Sequence, residues 1–126
     1  MDREETKWHW AEGTKYAVEG MKTLLTLNGG AAVALLAFWG TAKAGLSPAA
    51  KAASVQPIEN ALWFFGVGAL VAAFTFAFAY FSQLLYGNNW WRTAQWFHHF
   101  TYVLFISSAA LFFFGVRQAS IAFSLA

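Results

Sequence analysis

Three stretches of this chain carry no Asp, Glu, Lys or Arg: residues 23–42, 60–91 and 93–116, which are 20, 32 and 24 residues long. A bilayer core about 30 Å thick is crossed by about 20 apolar helical residues, so each stretch is long enough to span. A Lys, Arg or Asp at mid-membrane costs about 2.5–3.5 kcal/mol on insertion scales, so charge absent from all three is informative. Strands are excluded, because three spans cannot close a barrel and lipid leaves an open sheet edge unsatisfied.

Composition agrees. Of 126 residues, 59% are hydrophobic and 11% charged, against roughly 25% charged in soluble domains. A soluble domain this small could not hide that much apolar surface. Disorder and a soluble enzyme are thereby excluded. With no Cys, so is a disulfide-stapled mini-protein. The chain reads as an all-α integral membrane protein. An amphipathic helix over 1–22 precedes a three-helix transmembrane domain over 23–126, with spans at about 23–40, 59–86 and 97–116.

Turn residues punctuate these limits. Gly40 and Gly45 bracket the end of the first span. Ser47-Pro48 and Gln56-Pro57 bound an Ala-rich connector, and Pro57 with Glu59 suits the first turn of the second helix. Gly87-Asn88-Asn89 stops that helix. Five basic residues (Arg3, Lys7, Lys15, Lys22, Arg92) fall on one side and three (Lys43, Lys51, Arg117) on the other. The expected topology is N-terminus cytoplasmic and C-terminus periplasmic. Trp39 and Trp63 then form an outer aromatic belt, and Tyr86, Trp90, Trp91 and Trp96 an inner one. Ala42-Lys43-Ala44 looks like a cleavage site, but the long lead carrying Asp2, Glu4, Glu5, Glu12 and Glu19 is unlike a short basic signal region.

The lead repeats every seven residues. Glu5, Glu12 and Glu19 share one helical stripe, and Trp10, Ala17 and Leu24 another. Lys15 and Lys22 stand three residues after Glu12 and Glu19, close enough to pair. The expected form is an amphipathic helix on the inner leaflet, or one packed with copies from neighbouring subunits.

Little here could carry chemistry. There is no phosphate-cradling Gly loop and no supported Ser-His-Asp arrangement. No carboxylate lies inside a span to relay protons. No enzymatic activity, cofactor or nucleic-acid partner is expected. The weak cofactor candidates are His98 and His99, with His9 at the same face. Adjacent helical residues point about 100° apart, so His98 and His99 cannot both face one haem or metal.

Small residues say more. Gly30 and Ala34 form a small-xxx-small pair, and Ala69, Ala73 and Ala77 extend such a stripe over two turns. These are candidates for packing within the bundle or between subunits. Thr75, Ser107 and Ser108 add mild polar contacts. Asn28-Gly29-Gly30 marks a tight contact, a kink or a polar lining, and Asn28 could reach Gln83.

The stretch from Leu25 to Phe38, centred on Leu27-Asn28-Gly29-Gly30-Ala31, resembles the first span of small uncharacterised bacterial multi-pass inner-membrane proteins. The third span, with Ser107-Ser108 and Phe114-Gly115, is similar to theirs. The resemblance implies a bacterial inner membrane and brings no activity.

Three helices enclose little volume, so action through self-assembly or a partner is expected. The expected function is a homo-oligomeric pore or holin-like permeabiliser. The alternatives are an accessory or scaffold subunit of a larger membrane complex and, behind both, a haem- or quinone-binding subunit. A C-terminal reporter that is active only in the cytoplasm should stay silent, and activity would reverse the assigned topology.

Overall fold

A computed structural model describes residues 3–125. They form three long helices: α1 (Arg3–Ala42), α2 (Pro48–Gly87) and α3 (Trp91–Leu125), with a short 3-10 turn at Lys43–Gly45 after α1. Among the described residues there is no strand. All three are long and apolar enough to cross a membrane, so this is a multi-pass membrane protein. At 1.5 Å per residue each is about 50–60 Å long, well beyond the bilayer core.

Local chemistry sets the helix ends. Ser47 caps α2: its Oγ accepts from the Ala50 N–H at 3.2 Å, and Pro48 takes the first turn. Asn89 adopts a left-handed φ of 62° just after α2. There the N–H of Trp90 donates to Leu85 O at 3.0 Å and that of Asn89 to Tyr86 O at 3.2 Å. This pattern, a 6→1 bond with a 5→2 bond, closes a helix end and turns the chain. α3 begins at once, so α2 and α3 form an antiparallel hairpin.

The hairpin is zipped by small residues. The buried positions of α2 include Ser54, Ile58, Ala61, Phe65, Gly68, Ala72, Thr75 and Ser82. Their spacing alternates between four and three until the final step of seven, the period of a left-handed coiled pair. On α3 every buried residue is small and recurs at seven: Ala94, Thr101, Ser108, Gly115 and Ala122. Three hydrogen bonds fix the register. Ser54 Oγ donates to Ala122 O at 3.4 Å, Ser108 Oγ to Gly68 O at 2.8 Å and Ser82 Oγ to Ala94 O at 3.1 Å. The same register sets Ala61 opposite Gly115 and Thr75 opposite Thr101. Small residues let the two backbones approach closely, which is how helices gain dispersion contact in lipid.

α1 packs on this hairpin through Met21, Leu24, Asn28 and Leu35, at steps of three, four and seven residues. Leu35 joins Ile58, Ala61, Phe65 and Ala122 in the apolar core. Phe38 meets Phe123 edge-on at 4.9 Å. α1 therefore runs parallel to α3 and antiparallel to α2.

The helices run longer than the sequence indicates. Of the expected 1–22 lead, residues 1 and 2 lie outside the described residues, and residues 3–22 do not form a separate element, because α1 continues through position 22 without interruption. An in-plane helix needs a turn of the chain there; no Pro occurs, and Gly20 instead packs near the Phe105 ring. The ion pairs Glu4–Lys7 (2.8 Å), Glu12–Lys15 (3.3 Å) and Glu19–Lys22 (2.8 Å) line the exposed surface of the lead. Each supports the helix by about 0.2–0.5 kcal/mol. The Ala-rich connector is also helical. Pro57 lies inside α2 rather than at its start, since the Ser47 cap and the helix-forming alanines begin the helix nine residues earlier. α3 likewise extends past 97–116 at both ends and contains Arg117.

Two glycines should separate the seam from the outer surface. A Cβ on Gly115 would come within 2.5–2.9 Å of the buried Phe65 ring, whereas one on Gly66 meets nothing within 4 Å. Gly115→Ala should destabilise by about 1–3 kcal/mol. Gly66→Ala should be neutral or stabilising by up to about 1 kcal/mol. Reversible unfolding in bicelles measures both.

Candidate functional site

Asn28 of α1 sits fully buried where the three helices meet. Its Nδ2 donates to Leu24 O at 3.0 Å within α1, and reaches Ser108 Oγ at 3.3 Å and Ser108 O at 3.4 Å on α3. Ser108 Oγ in turn donates to Gly68 O on α2. Asn28 Oδ1 is buried with no hydrogen-bond partner. It lies against Gly68, where an added Cβ would stand 2.7 Å from Asn28 Cγ and closer still to Oδ1. The glycine hydrogen in that place points at Oδ1, a weak C–H···O contact worth about half of an ordinary hydrogen bond in vacuum and less in the protein. Gly68 is therefore required for close approach, and Asn28, Gly68 and Ser108 form one polar junction.

The junction closes one end of a cleft. Beyond Met21 the N-terminal half of α1 stands off the α2–α3 hairpin and leaves about 730 Å³. α1 contributes His9, Trp10, Thr14, Val18 and Met21 to its walls. α2 adds Phe76, Tyr80 and Gln83, and α3 adds His98, Tyr102 and Phe105. Near the junction lie the apolar Met21, Phe76 and Phe105. His9, Trp10 and Gln83 lie at the far end, with Thr14 and His98 between. No Asp, Glu, Lys or Arg belongs to the lining. Among the described residues no hydrogen bond reaches the His98 ring, which packs edge-on against Tyr102 at 4.9 Å.

The expected site residues divide sharply. His98 and His9 line the same cleft. His99 turns away: its ring stands 6.2 Å from that of His98 at 88°, and its Nδ1 donates to Gln95 O at 2.7 Å. It borders a shallow recess with Arg92, Gln95 and Trp96 instead. Among the described residues no three His, Cys, Asp or Glu side chains are grouped to hold a metal ion. Asn28 pairs with Ser108 and not with Gln83, which is an exposed cleft residue. Gly29 and Ala69 are half-buried, while Gly30, Ala34, Ala73 and Ala77 face outward. The packing stripes inside the bundle are the seven-residue rows of small residues on α2 and α3. Their spacing stands in the sequence, but a search at four-residue intervals misses it.

The chain matches no protein-family model, no curated protein and no solved structure.

A double-mutant cycle tests the junction. Gly68→Ala alone should cost about 1–3 kcal/mol by overpacking the Asn28 amide. Asn28→Ala alone should cost about 1–2 kcal/mol. The double variant should cost less than the two together, because the smaller side chain makes room for the added methyl. Additive losses would show that the two residues do not meet.

Proposed function

We propose that this chain is a non-enzymatic membrane protein that acts by self-association in the bilayer, without an aqueous pore through one copy. The observation that carries this reading is the outward placement of Gly30 and Ala34 on α1 and of Ala73 and Ala77 on α2. The bundle does not use these residues for its own packing. Exposed Leu or Phe is well solvated by acyl chains. A bare Gly/Ala strip gains little from lipid and lets another helix come close.

The interior argues against conduction through a single copy. At the level of Asn28 it is filled by an amide, a hydroxyl and a glycine in contact. Around Leu35 it is filled by Phe65 and its neighbours. The outward face also carries Trp63, Leu70, Phe74, Ile106 and Phe113, a surface suited to lipid or protein rather than to a water-filled lumen. A holin-like pore between copies is therefore the less favoured form of assembly. The same strips would serve an accessory subunit of a larger complex if the partner is a different chain. The proposed setting is a bacterial inner membrane with the N-terminus cytoplasmic, in line with the basic-residue bias and the resemblance of the first span.

Gly30 gives a clean test, since a Cβ there meets nothing within 4 Å. The combined Gly30→Leu and Ala73→Leu variant should keep the monomer fold. It should weaken association by about tenfold or more, equal to about 1.4 kcal/mol. Stoichiometry in native-lipid particles reads this out. Wild-type protein that stays monomeric and alone overturns self-association, and steady conductance in a planar bilayer overturns the non-conducting reading.

A further inference from the structure

The cleft between α1 and the α2–α3 hairpin has an ordered chemistry along its length. We propose that it binds one neutral, lipophilic quinone-type molecule, with its ring among the aromatic and histidine side chains and its tail toward the junction. This is binding only; no electron transfer is included.

Four observations lead to that class. The first is size: about 730 Å³ lies within the range of small-molecule sites, roughly 300–1,000 Å³. The second is charge. The lining holds no Lys, Arg, Asp or Glu, while Glu4–Lys7, Glu12–Lys15 and Glu19–Lys22 pair on the exposed surface of the lead. A phosphate or carboxylate head there would find no lysine or arginine to pair with. A phospholipid or ionised fatty acid is thus disfavoured against a neutral ligand.

The third is ring chemistry. Trp10, Tyr80, Tyr102 and Phe105 supply flat walls from all three helices, and such faces favour stacked or edge-on contact with a planar ring. His98 brings a ring nitrogen that can donate, with no protein partner among the described residues, and Gln83 adds an amide N–H. Ring carbonyl oxygens accept from such donors, whereas a plain hydrocarbon leaves them unpaired. The fourth is polarity with depth. Met21, Phe76 and Phe105 lie nearest the junction, at the bilayer-centre end, and His98, Gln83 and His9 lie toward the cytoplasmic end in the assigned topology. An amphiphile entering from the inner leaflet with its tail toward mid-membrane matches that order.

The test uses the full chain in nanodiscs loaded with one copy each, so that no second copy can fill the cleft. A decyl-tailed benzoquinone is titrated while tryptophan fluorescence is read. The expected result is a saturable 1:1 quench on top of the linear quench from quinone dissolved in lipid. Ala17→Phe, which fills the cleft, should abolish the saturable part while helicity by circular dichroism is unchanged. His98→Leu and Gln83→Leu should each weaken it about fivefold, the value of one lost hydrogen bond. Oleate and lysophosphatidylcholine should fail to displace the quinone. A purely linear quench overturns the proposal. So does a saturable quench unaltered by both Ala17→Phe and His98→Leu, or one that oleate and lysophosphatidylcholine reverse. Saturable binding seen only in discs holding two copies also overturns it, because the cleft would then be an interface between chains.

Discussion

A carboxamide buried in a membrane protein has to find its partners inside the protein, and Asn28 does so by gathering three helices around itself. Its Nδ2 is shared between its own helix and Ser108, and Ser108 passes the connection to the Gly68 carbonyl. Interhelical hydrogen bonds in membranes are modest, averaging about 0.6 kcal/mol in measured cycles. The junction therefore matters less for total stability than for register. A slip of one residue along α1 would strand the amide against apolar surface, at about 1–3 kcal/mol per unsatisfied group. Because Oδ1 rests on Gly68, the junction also demands the closest approach in the bundle at that level.

From this point the rest of the architecture follows in two directions. Toward the α1 C-terminus the helices stay together. Leu35, Ile58, Ala61 and Phe65 fill the core, and Gly115 leaves room for the Phe65 ring. In the other direction α1 meets bulky side chains, Phe76, Tyr80, Tyr102 and Phe105. Beside them α1 stands off a hairpin that remains zipped down to Ser82 and Ala94. The cleft is the space between a contact tightened by glycine and a surface widened by aromatics. Hydroxyls elsewhere are satisfied locally: Thr75 donates to Val71 O and Thr101 to Phe97 O, each one turn back along its own helix.

The outward small-residue strips and the cleft are thus products of one packing solution. Residues needed for close contact inside the bundle are spaced by seven and point inward. Those spaced by four, at Gly30 and Ala34 and at Ala73 and Ala77, are left on the outside. A helix can present two small-residue rows only if they lie on different faces, which the 3.5- and 4-residue periods ensure over several turns.

The charge-free stretches indicated three apolar helices, because a lone charge is too costly in hydrocarbon to be hidden by any local arrangement. Asn89 and the Gly87 turn were likewise readable, since turn chemistry is local. The start of α2 was not. Ser47-Pro48 and Gln56-Pro57 are both plausible starts, and only the unbroken backbone through Pro57 decides between them. The divergence of His98 and His99 was legible from helix geometry alone, whereas the sharing of one cleft by His98 and His9 was not. That depends on how the N-terminal half of α1 is held beside the α2–α3 hairpin. The partner of Asn28 was equally hidden: Gln83 and Ser108 are both polar, and the choice belongs to the register of three helices. The sequence by itself determined that this chain is helical, that it has three apolar segments long enough to span and which faces carry small residues, because those follow from solvation and periodicity. Tertiary structure decided which small row zips the bundle, which amide closes it and where space remains, because each depends on contacts between residues 40 to 80 positions apart.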